Sequence, residues 1–372
     1  MRFIHLADLH LGRRVSGFSL IEDQQYILDR IMEMTDEEKP DFIIIAGDVY
    51  DKLSPPVEAV SMLDRLLTEL SRRGTETFII AGNHDSPERI AFGSDLMNKS
   101  GIHFSPVYDG KAKKFTVTDE YGDADIYLLP YLRASEARRF FPDADIPDTN
   151  AAVREAIAAM DIDTSRRNII ISHQFVEGGE QCDSERAAIG GTEGVSAELY
   201  RPFDYAALGH LHKPQAMGGS SIRYGGTPLK YSLSEKDHKK CLTICELGRK
   251  GEPVRVTLRE LVPLRDMREL KGSFEELMQC GCDDLVQIIL TDTERVPDAQ
   301  KRLRTVYPHI MGVRYFMEQE RGRISVEIDE ESPAKTASPF ELFSKFFADA
   351  NGRAMTDEQS EYMKDMIKEI WG

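Results

Sequence analysis

The chain has 372 residues, 30% of them charged, and at roughly 150 residues per domain it is long enough for two or three domains. No stretch approaches the roughly 18 uninterrupted apolar residues of a membrane helix, and no signal-peptide pattern opens the chain, so we expect a cytoplasmic protein without a membrane partner. The formal net charge of −17 argues against a protein that binds DNA without a partner. Either the substrate is not DNA, or a partner supplies most of the contacts with DNA.

Short β-rich runs alternate with helical patterns through the first two thirds of the chain. Glu22–Glu38 and Val57–Arg72 carry apolar residues at helical spacing. The predicted strands are Phe3–Ala7, Phe42–Ala46, Thr77–Ala81, Ile126–Leu129, Asn168–Ser172 and Tyr205–Leu208. This alternation predicts an α/β layered fold. The later runs Ser221–Tyr224, Leu242–Leu247 and Val254–Leu261 lack long helices between them, which predicts that the domain closes with antiparallel strands.

The pattern changes near Val262 and Pro263, where a small α+β domain is predicted to begin. Its predicted elements are helices at Ser273–Cys280 and Asp298–Val306 and strands at Leu285–Leu290, Gly312–Met317 and Arg323–Ile328. A polar stretch bracketed by prolines then reads as a linker. We therefore predict domains at residues 1–262 and 263–329, a linker at 330–339 and a helical segment at 340–372.

The last segment carries two apolar stripes at helical spacing, which are typical of helices with one buried face. The first stripe contains Phe340, Phe343, Phe346 and Phe347, and the second contains Met363, Ile367, Ile370 and Trp371. Two short helices after a proline-bounded linker cannot easily bury that much apolar surface on each other. They could fold back onto the small domain, or they could form a binding site for a coiled coil of a partner.

Side chains of the kind that bind metal ions follow one predicted strand after another. They are Asp8 and His10, then Asp48, then Asn83 and His84, then His173, and finally His210 and His212. In open α/β sheets the ligand crevice lies beyond the carboxyl ends of the strands. We therefore expect all five clusters to meet at one edge of the fold.

The types of these side chains suit a site for two metal ions. The carboxylate of Asp48 can bridge two ions roughly 3.5–4 Å apart, as two-metal catalysis requires. Asn83 offers a neutral amide oxygen, and the imidazoles favour manganese, iron or zinc over magnesium, which prefers oxygen ligands. Glycines precede Asp48, Asn83 and His210, and they permit the sharp turns and close backbone approach that such a site needs.

This series of motifs resembles the calcineurin-like metallophosphoesterase superfamily over about residues 1–260. The resemblance implies a β-sandwich flanked by helices and a pair of metal ions, with manganese favoured. By motif, one ion would be held by Asp8, His10, Asp48 and His212, and the other by Asp48, Asn83, His173 and His210. His84 follows the ligand Asn83, and the residue at this place is not itself a metal ligand in that family. By the resemblance, His84 would stabilise the scissile phosphate or assist the leaving oxygen.

Within that superfamily, three segments look like the bacterial SbcD-type branch. They are Leu6–Gly12, Gly47–Asp51 and Tyr224–Leu229, with Ser232–Glu235 close behind. The resemblance implies a DNA nuclease for repair and recombination that acts as an exonuclease on duplex ends and an endonuclease on single strands or hairpins. Some relatives carry a histidine where this chain has Asp51, so the role of that residue stays open.

The same resemblance implies partners for the chain. A small capping domain and C-terminal helices that grip an SbcC-like, SMC-family ATPase would fit the tail and explain the negative charge. Homodimerisation would give a heterotetramer at the nucleoid, and the dimer contact, or else internal core, would be formed by Leu63, Leu67, Phe92, Leu96 and Met97. The alternative function is a free-standing phosphodiesterase or phosphatase acting on nucleotides or phosphoproteins.

Overall fold

The structure is a computed structural model that describes residues 1–90, 92–105, 107–185, 194–316, 340, 343–344, 347–348 and 355–371. It divides into two compact units. The first comprises Met1–Arg268 with Asp283–Leu285, and the second comprises Glu269–Cys282 with Val286–Gly372. The strand predicted at Arg323–Ile328 and the linker predicted at 330–339 lie outside the described residues. No helix in the described part of the chain is long and apolar enough to cross a bilayer.

The first unit contains two six-stranded sheets. The first sheet is built from β1 (Arg2–Leu6), β4 (Phe42–Ala46), β5 (Glu76–Ile80), β6 (Ile102–Ser105), β13 (Cys241–Glu246) and β14 (Arg255–Glu260). Its order is β14-β13-β1-β4-β5-β6, and the strands from β1 to β6 in that order run parallel. Strand β13 pairs antiparallel with both β1 and β14, which confirms the predicted antiparallel closure on this side.

The second sheet has the order β11-β12-β10-β9-β8-β7. Its strands are β7 (Lys113–Asp119), β8 (Gly122–Leu129), β9 (Arg167–His173), β10 (Tyr205–Gly209), β11 (Gln215–Ala216) and β12 (Ile222–Tyr224). Antiparallel closure, predicted to include Ser221–Tyr224, is found on one side of β12 only: it pairs antiparallel with the short edge strand β11 and parallel with β10. The connection between β10 and β12 holds the loop after β10 and the short β11, so no long helix was needed for the crossover. A small hairpin of β2 (Arg14–Val15) and β3 (Phe18–Ser19) completes the strands of this unit.

The helices of the first unit are α1 (Ile21–Glu38), α2 (Val57–Arg72), α3 (Pro87–Ile90), α4 (Ser94–Asn98), α5 (Ala134–Ala137) and α6 (Thr149–Ala158). The two long helices agree with the predicted apolar spacing. Helix α1 buries Ile27 and Ile31, and α2 buries Leu63 and Leu67. Each long helix therefore turns one apolar stripe inward, as amphipathic helices on a sheet do.

The two sheets share an apolar core, which makes the first unit a β-sandwich flanked by helices. Phe3 of β1 stacks on Phe42 of β4, with ring centroids 4.8 Å apart, and meets Tyr205 of β10 edge-on at 5.3 Å. Residues of β5, β8 and β9 join the same buried cluster, among them Phe78, Ile126 and Ile169. Aromatic pairs of this kind add to the stability that area burial provides. The predicted fold class is confirmed.

The second unit contains a three-stranded sheet with the order β15-β16-β17. Its strands are β15 (Met267–Gly272), β16 (Leu285–Leu290) and β17 (Ile310–Tyr315), and its helices are α7 (Phe274–Gln279), α8 (Ala299–Leu303) and α9 (Asp357–Trp371). Strands β16 and β17 run parallel, and the sheet packs against Phe274 of α7 and Leu303 of α8. Ser273 and Glu276 form a capping box at the start of α7. Strand β15 was not among the predicted elements.

The tail is described in part. Phe340, Phe343 and Phe347 are helical and half-buried, and the Nζ atom of Lys364 in α9 lies 4.9 Å from the ring centroid of Phe340. This cation–π contact ties the two helical segments of the tail together. In α9, Met363 and Ile367 are half-buried. The predicted partner residue Phe346 lies outside the described residues, as do the side chains of Ile370 and Trp371.

Candidate metal centre

The ends of five strands bring the predicted site residues to one place. The loops after β1, β4 and β5 come from one sheet, and the ends of β9 and β10 come from the other. Six of these side chains are buried, and Asn83 and His84 are half-buried. The buried ones are Asp8, His10, Asp48, His173, His210 and His212.

One group of donors gathers around His10. Its Nε2 atom lies 3.2 Å from the Nε2 atom of His212 and 3.6 Å from Oδ2 of Asp48. Donor atoms of Asp8, His10 and Asp48 all lie within 4.8 Å of one another. Ser184 Oγ donates to Oε1 of Glu235 and lies 2.9 Å from Nδ1 of His212, so it accepts from Nδ1 and the lone pair of the imidazole is on Nε2. Two imidazole nitrogens and a carboxylate oxygen that face each other in a buried site suit a shared cation.

A second group of donors gathers around Asn83. Its Oδ1 atom lies 3.1 Å from Nε2 of His173 and 3.0 Å from Nδ1 of His210. The opposite ring nitrogen of His173, Nδ1, donates to the main-chain carbonyl of Ala46 at 2.8 Å, which fixes the orientation of the ring. Nitrogen and amide-oxygen donors in this arrangement suit a second cation.

Asp48 lies between the two groups. Its Oδ2 atom is 3.4 Å from Nε2 of His173 and 3.6 Å from Nε2 of His10. Its other oxygen, Oδ1, accepts a hydrogen bond of 2.9 Å from the main-chain nitrogen of His84, so the carboxylate cannot rotate freely. One oxygen of Asp48 therefore faces both groups, which is the geometry that a bridging ligand requires.

The electrostatics of the site favour bound positive charge. Burial raises the pKa of Asp8 well above its usual value, because no solvent compensates the charge of its carboxylate. Burial would lower the pKa of His173, but the carboxylates of Asp48 and Asp8 raise it to about 9. Burial lowers the pKa of His210 to about 3 and that of His10 well below its usual value, so both imidazoles are neutral, as metal ligands must be. A metal ion could displace the proton that His173 holds.

The backbone around the site adopts unusual conformations. Asp8, His10, Asp48 and His210 all have positive φ angles, of 53°, 43°, 47° and 107°. Such angles are uncommon for residues other than glycine, and they cluster at functional sites. A Cβ atom at Gly82 would lie 2.1 Å from Oδ1 of Asp48, so only glycine allows this close approach.

His84 lies beside the first group of donors. Its ring meets the ring of His10 edge-on, with centroids 4.9 Å apart, and its Nδ1 atom is 3.0 Å from the main-chain carbonyl of Asp51. The carboxylate of Asp51 is held by Arg13, whose NH1 atom is 2.6 Å from Oδ1. With Nδ1 donating to the carbonyl, Nε2 is the nitrogen of His84 that remains for a substrate. Asp51 thus touches His84 through its main chain, which the sequence alone did not indicate.

Three further groups behind His212 were also missed. The carboxylate of Glu185 accepts from the main-chain nitrogen of His212, and Ser184 and Glu235 approach its ring. Glu235 belongs to a segment that the family resemblance had singled out, but nothing in the sequence linked it to His212. Ser184 and Glu185 precede residues 186–193, which lie outside the described part of the chain.

Comparisons with known proteins agree with the fold. The calcineurin-like phosphoesterase family matches residues 1–214, and the family described as type 5 capsule protein repressor C-terminal domain matches residues 263–351. A protein of Staphylococcus epidermidis that is named as the SbcD component of nuclease SbcCD is 29% identical over 100% of this chain and 99% of its own length. A protein of the same name from Staphylococcus saprophyticus is 34% identical over 84% of both chains. The chain therefore belongs to the calcineurin-like phosphoesterase family of metal-dependent hydrolases, in its SbcD-type nuclease branch.

Proposed function

We propose that the chain is the nuclease component of an SbcCD-type complex and hydrolyses DNA phosphodiesters with two Mn²⁺ ions. It would act as an exonuclease on duplex ends and as an endonuclease on single strands or hairpins, in DNA repair and recombination at the nucleoid. The observation that carries the proposal is the position of Asp48, whose Oδ2 atom faces both groups of donors. The relatives named as components of a nuclease match the chain over most or all of its length, which supports DNA as the substrate.

The two groups of donors lead to a proposed division of roles. Asp8, His10, Asp48 and His212 hold the first ion, and Asp48, Asn83, His173 and His210 hold the second. When bound, the ions supply the positive charge that activates water near neutral pH and balances the charge of the reacting phosphate. The main-chain carbonyl of Asp51 orients His84, and Nε2 of His84 contacts the scissile phosphate or the leaving oxygen.

Nuclease assays with the intact chain test the proposed substrate. With Mn²⁺ and the co-expressed SMC-like ATPase, we expect degradation of linear duplex DNA and nicking of hairpins, and no activity after chelation of the metal. Mononucleotides and phosphopeptides serve as competing substrates. Rapid hydrolysis of these small esters without cleavage of DNA would instead support a free-standing phosphodiesterase or phosphatase.

We propose that the second unit acts as a capping domain and that the tail binds the ATPase. The net charge of −17 supports a partner that supplies most of the contacts with DNA. The described apolar residues of the tail, Phe340, Phe343, Phe347, Met363 and Ile367, are half-buried, so part of each side chain remains accessible to a coiled coil.

Truncation after Pro339 separates partner binding from catalysis. We expect the shortened chain to hydrolyse a small phosphodiester with Mn²⁺ at the rate of the full chain, because the donors all lie in the first unit. It should no longer bind the ATPase in a pull-down assay, and it should no longer digest duplex ends under the control of ATP. An unfolded or aggregated truncation product would show that the apolar stripes are core and that the partner binds elsewhere.

We also propose a homodimer, through the surface around α3 and α4. Leu63 and Leu67 are only 6% and 7% exposed, so they belong to the core, which was the alternative interpretation of these residues. Phe92 and Leu96, by contrast, are 85% and 73% exposed. Large apolar side chains that are exposed four residues apart in the chain are typical of interaction surfaces.

Replacing Phe92 with glutamate tests this dimer surface. We expect the wild-type chain to sediment as a dimer at micromolar concentration and the Phe92→Glu chain to sediment as a monomer, because a charge would be buried without a partner. Tyr121→Glu provides the matched control, since Tyr121 is an aromatic residue 45% exposed in the turn between β7 and β8. A monomeric wild-type chain would remove the proposal.

A further inference from the structure

We propose that Ser184 and Glu235 form a relay that holds the His212 ring in the orientation required to bind the first metal ion. They are positioning residues, because they act through His212 and do not contact the substrate. The inference rests on the proposed role of His212 as a metal ligand. It identifies the residues that orient the imidazole of His212 for metal binding.

The relay follows from the hydrogen bonds around the ring. Ser184 Oγ lies 2.9 Å from Nδ1 of His212 and 2.9 Å from Oε1 of Glu235, which is itself 3.4 Å from the same ring nitrogen. The serine hydroxyl donates its proton to the carboxylate, so it accepts from Nδ1–H of His212. The proton of the imidazole is thereby kept on Nδ1. Its lone pair stays on Nε2, the atom 3.2 Å from Nε2 of His10.

Glu235 is placed for this purpose by an ion pair inside the protein. Its carboxylate is 0% exposed, and its Oε2 atom is 2.6 Å from Nζ of Lys240, which is 5% exposed. Lys240 also donates to the main-chain carbonyl of His212 at 2.9 Å. A buried ion pair adds little net stability, because the loss of hydration offsets the attraction between the charges. Through Lys240, this pair connects the carboxylate beside the His212 ring to the main-chain carbonyl of His212. It therefore restrains both the ring and the backbone of this residue.

His212 differs in this respect from the other imidazoles of the site. The Nδ1 atom of His173 is bound by the neutral carbonyl of Ala46. The Nδ1 atom of His10 lies 3.9 Å from Oδ1 of Asp51, beyond hydrogen-bond distance, and has no hydrogen-bond partner among the described residues. A carboxylate behind a histidine fixes its tautomer and raises its basicity as a ligand, and such partners typically contribute about 10–100-fold in metal affinity. Loss of the relay should therefore weaken the first ion and spare the second, whose proposed ligands do not include His212.

The test is Mn²⁺ binding by the full-length Ser184→Ala chain. Titration calorimetry measures the affinities, and elemental analysis after dialysis measures the number of bound ions. We expect two ions in the wild type, and in the variant one ion of unchanged affinity and one weakened by about 10–100-fold. The Tm of the metal-free variant should fall by only a few degrees, because the Glu235–Lys240 pair remains intact and Oε1 of Glu235, 3.4 Å from Nδ1 of His212, can accept the proton of the ring. Ser184→Thr keeps the hydroxyl and should restore the affinity of the weakened ion.

Ser232→Ala provides the matched control. The Ser232 hydroxyl donates to the same oxygen of Glu235 at 3.0 Å, but it is not hydrogen-bonded to His212. We expect this variant to bind both ions like the wild type. Glu235→Gln should reproduce the selective loss of the first ion, with a lower Tm because Lys240 loses its charged partner.

Wild-type affinity for both ions in Ser184→Ala would overturn the relay. Equal weakening of both ions together with a much lower Tm would also overturn it, because Ser184 would then act on the fold. These readouts do not involve DNA. A wild-type chain that binds two ions and shows the selective loss in Ser184→Ala, but does not cleave DNA, would contradict the proposed substrate and still support the relay.

Discussion

The Asp48→Ala chain is expected to lose both metal ions, and its hydrolytic activity should fall to the background rate. Each proposed ion loses a carboxylate ligand, and the repulsion between the two ions is no longer screened by a shared negative charge. Oδ2 of Asp48 lies 3.6 Å from Nε2 of His10 and 3.4 Å from Nε2 of His173, so the substitution removes the ligand atom proposed for both ions. Elemental analysis of the dialysed protein gives the metal content directly.

Asp123→Ala is the control for this prediction. Asp123 pairs with Arg166 at the protein surface and has no contact with the donors. It should retain two ions and full activity. Two ions per chain in Asp48→Ala would show that Asp48 does not bridge them, and the division of ligands proposed for this site would then be wrong.

The His84→Gln chain is expected to keep its metal and to bind DNA, while its rate of hydrolysis falls by roughly 10²–10³-fold. His84 is proposed to touch the phosphate, so its loss removes a hydrogen bond that is strongest in the transition state. The donor atoms around Asn83 and Asp48 stay in place, since the main-chain nitrogen of residue 84 still donates to Oδ1 of Asp48. Single-turnover cleavage and Mn²⁺ titration measure the two properties separately.

His103→Gln is the matched control, because His103 is a half-buried histidine that stacks on Phe78 and lies outside the metal centre. It should cleave DNA at the wild-type rate. If His84→Gln instead loses metal, His84 is a ligand. If it keeps both metal and rate, the residue has no part in the reaction.

The strands that carry the site were predictable because each is a buried apolar run that ends in a polar ligand. Phe42–Ala46 was predicted at its observed bounds, and all five of its residues are buried. Strand β7 was missed because it lies at the edge of its sheet, with charged and polar residues such as Lys113 and Thr116 interrupting any apolar pattern. Strand β15 was missed for the same reason, since only Met267 of its six residues is buried.

In the candidate site, too, some residues could be predicted from the sequence and others could not. Asp8 and His210 could be predicted to lie together from their places after strands, because parallel strands direct their carboxyl ends to one edge. The groups that orient these ligands leave no such pattern. Ser184 lies 28 residues before His212, and Glu235 lies 23 residues after it, so only the folded chain brings them together. Local sequence spacing carries no information on contacts of this range.

The most direct test of the two-metal centre is anomalous diffraction at the manganese edge from crystals of the wild-type chain soaked in Mn²⁺. We predict two peaks roughly 3.5–4 Å apart. One peak should lie among Asp8, His10 and His212 and the other among Asn83, His173 and His210, with Asp48 between them. A single peak, or two peaks that do not share Asp48, would contradict the two-metal centre.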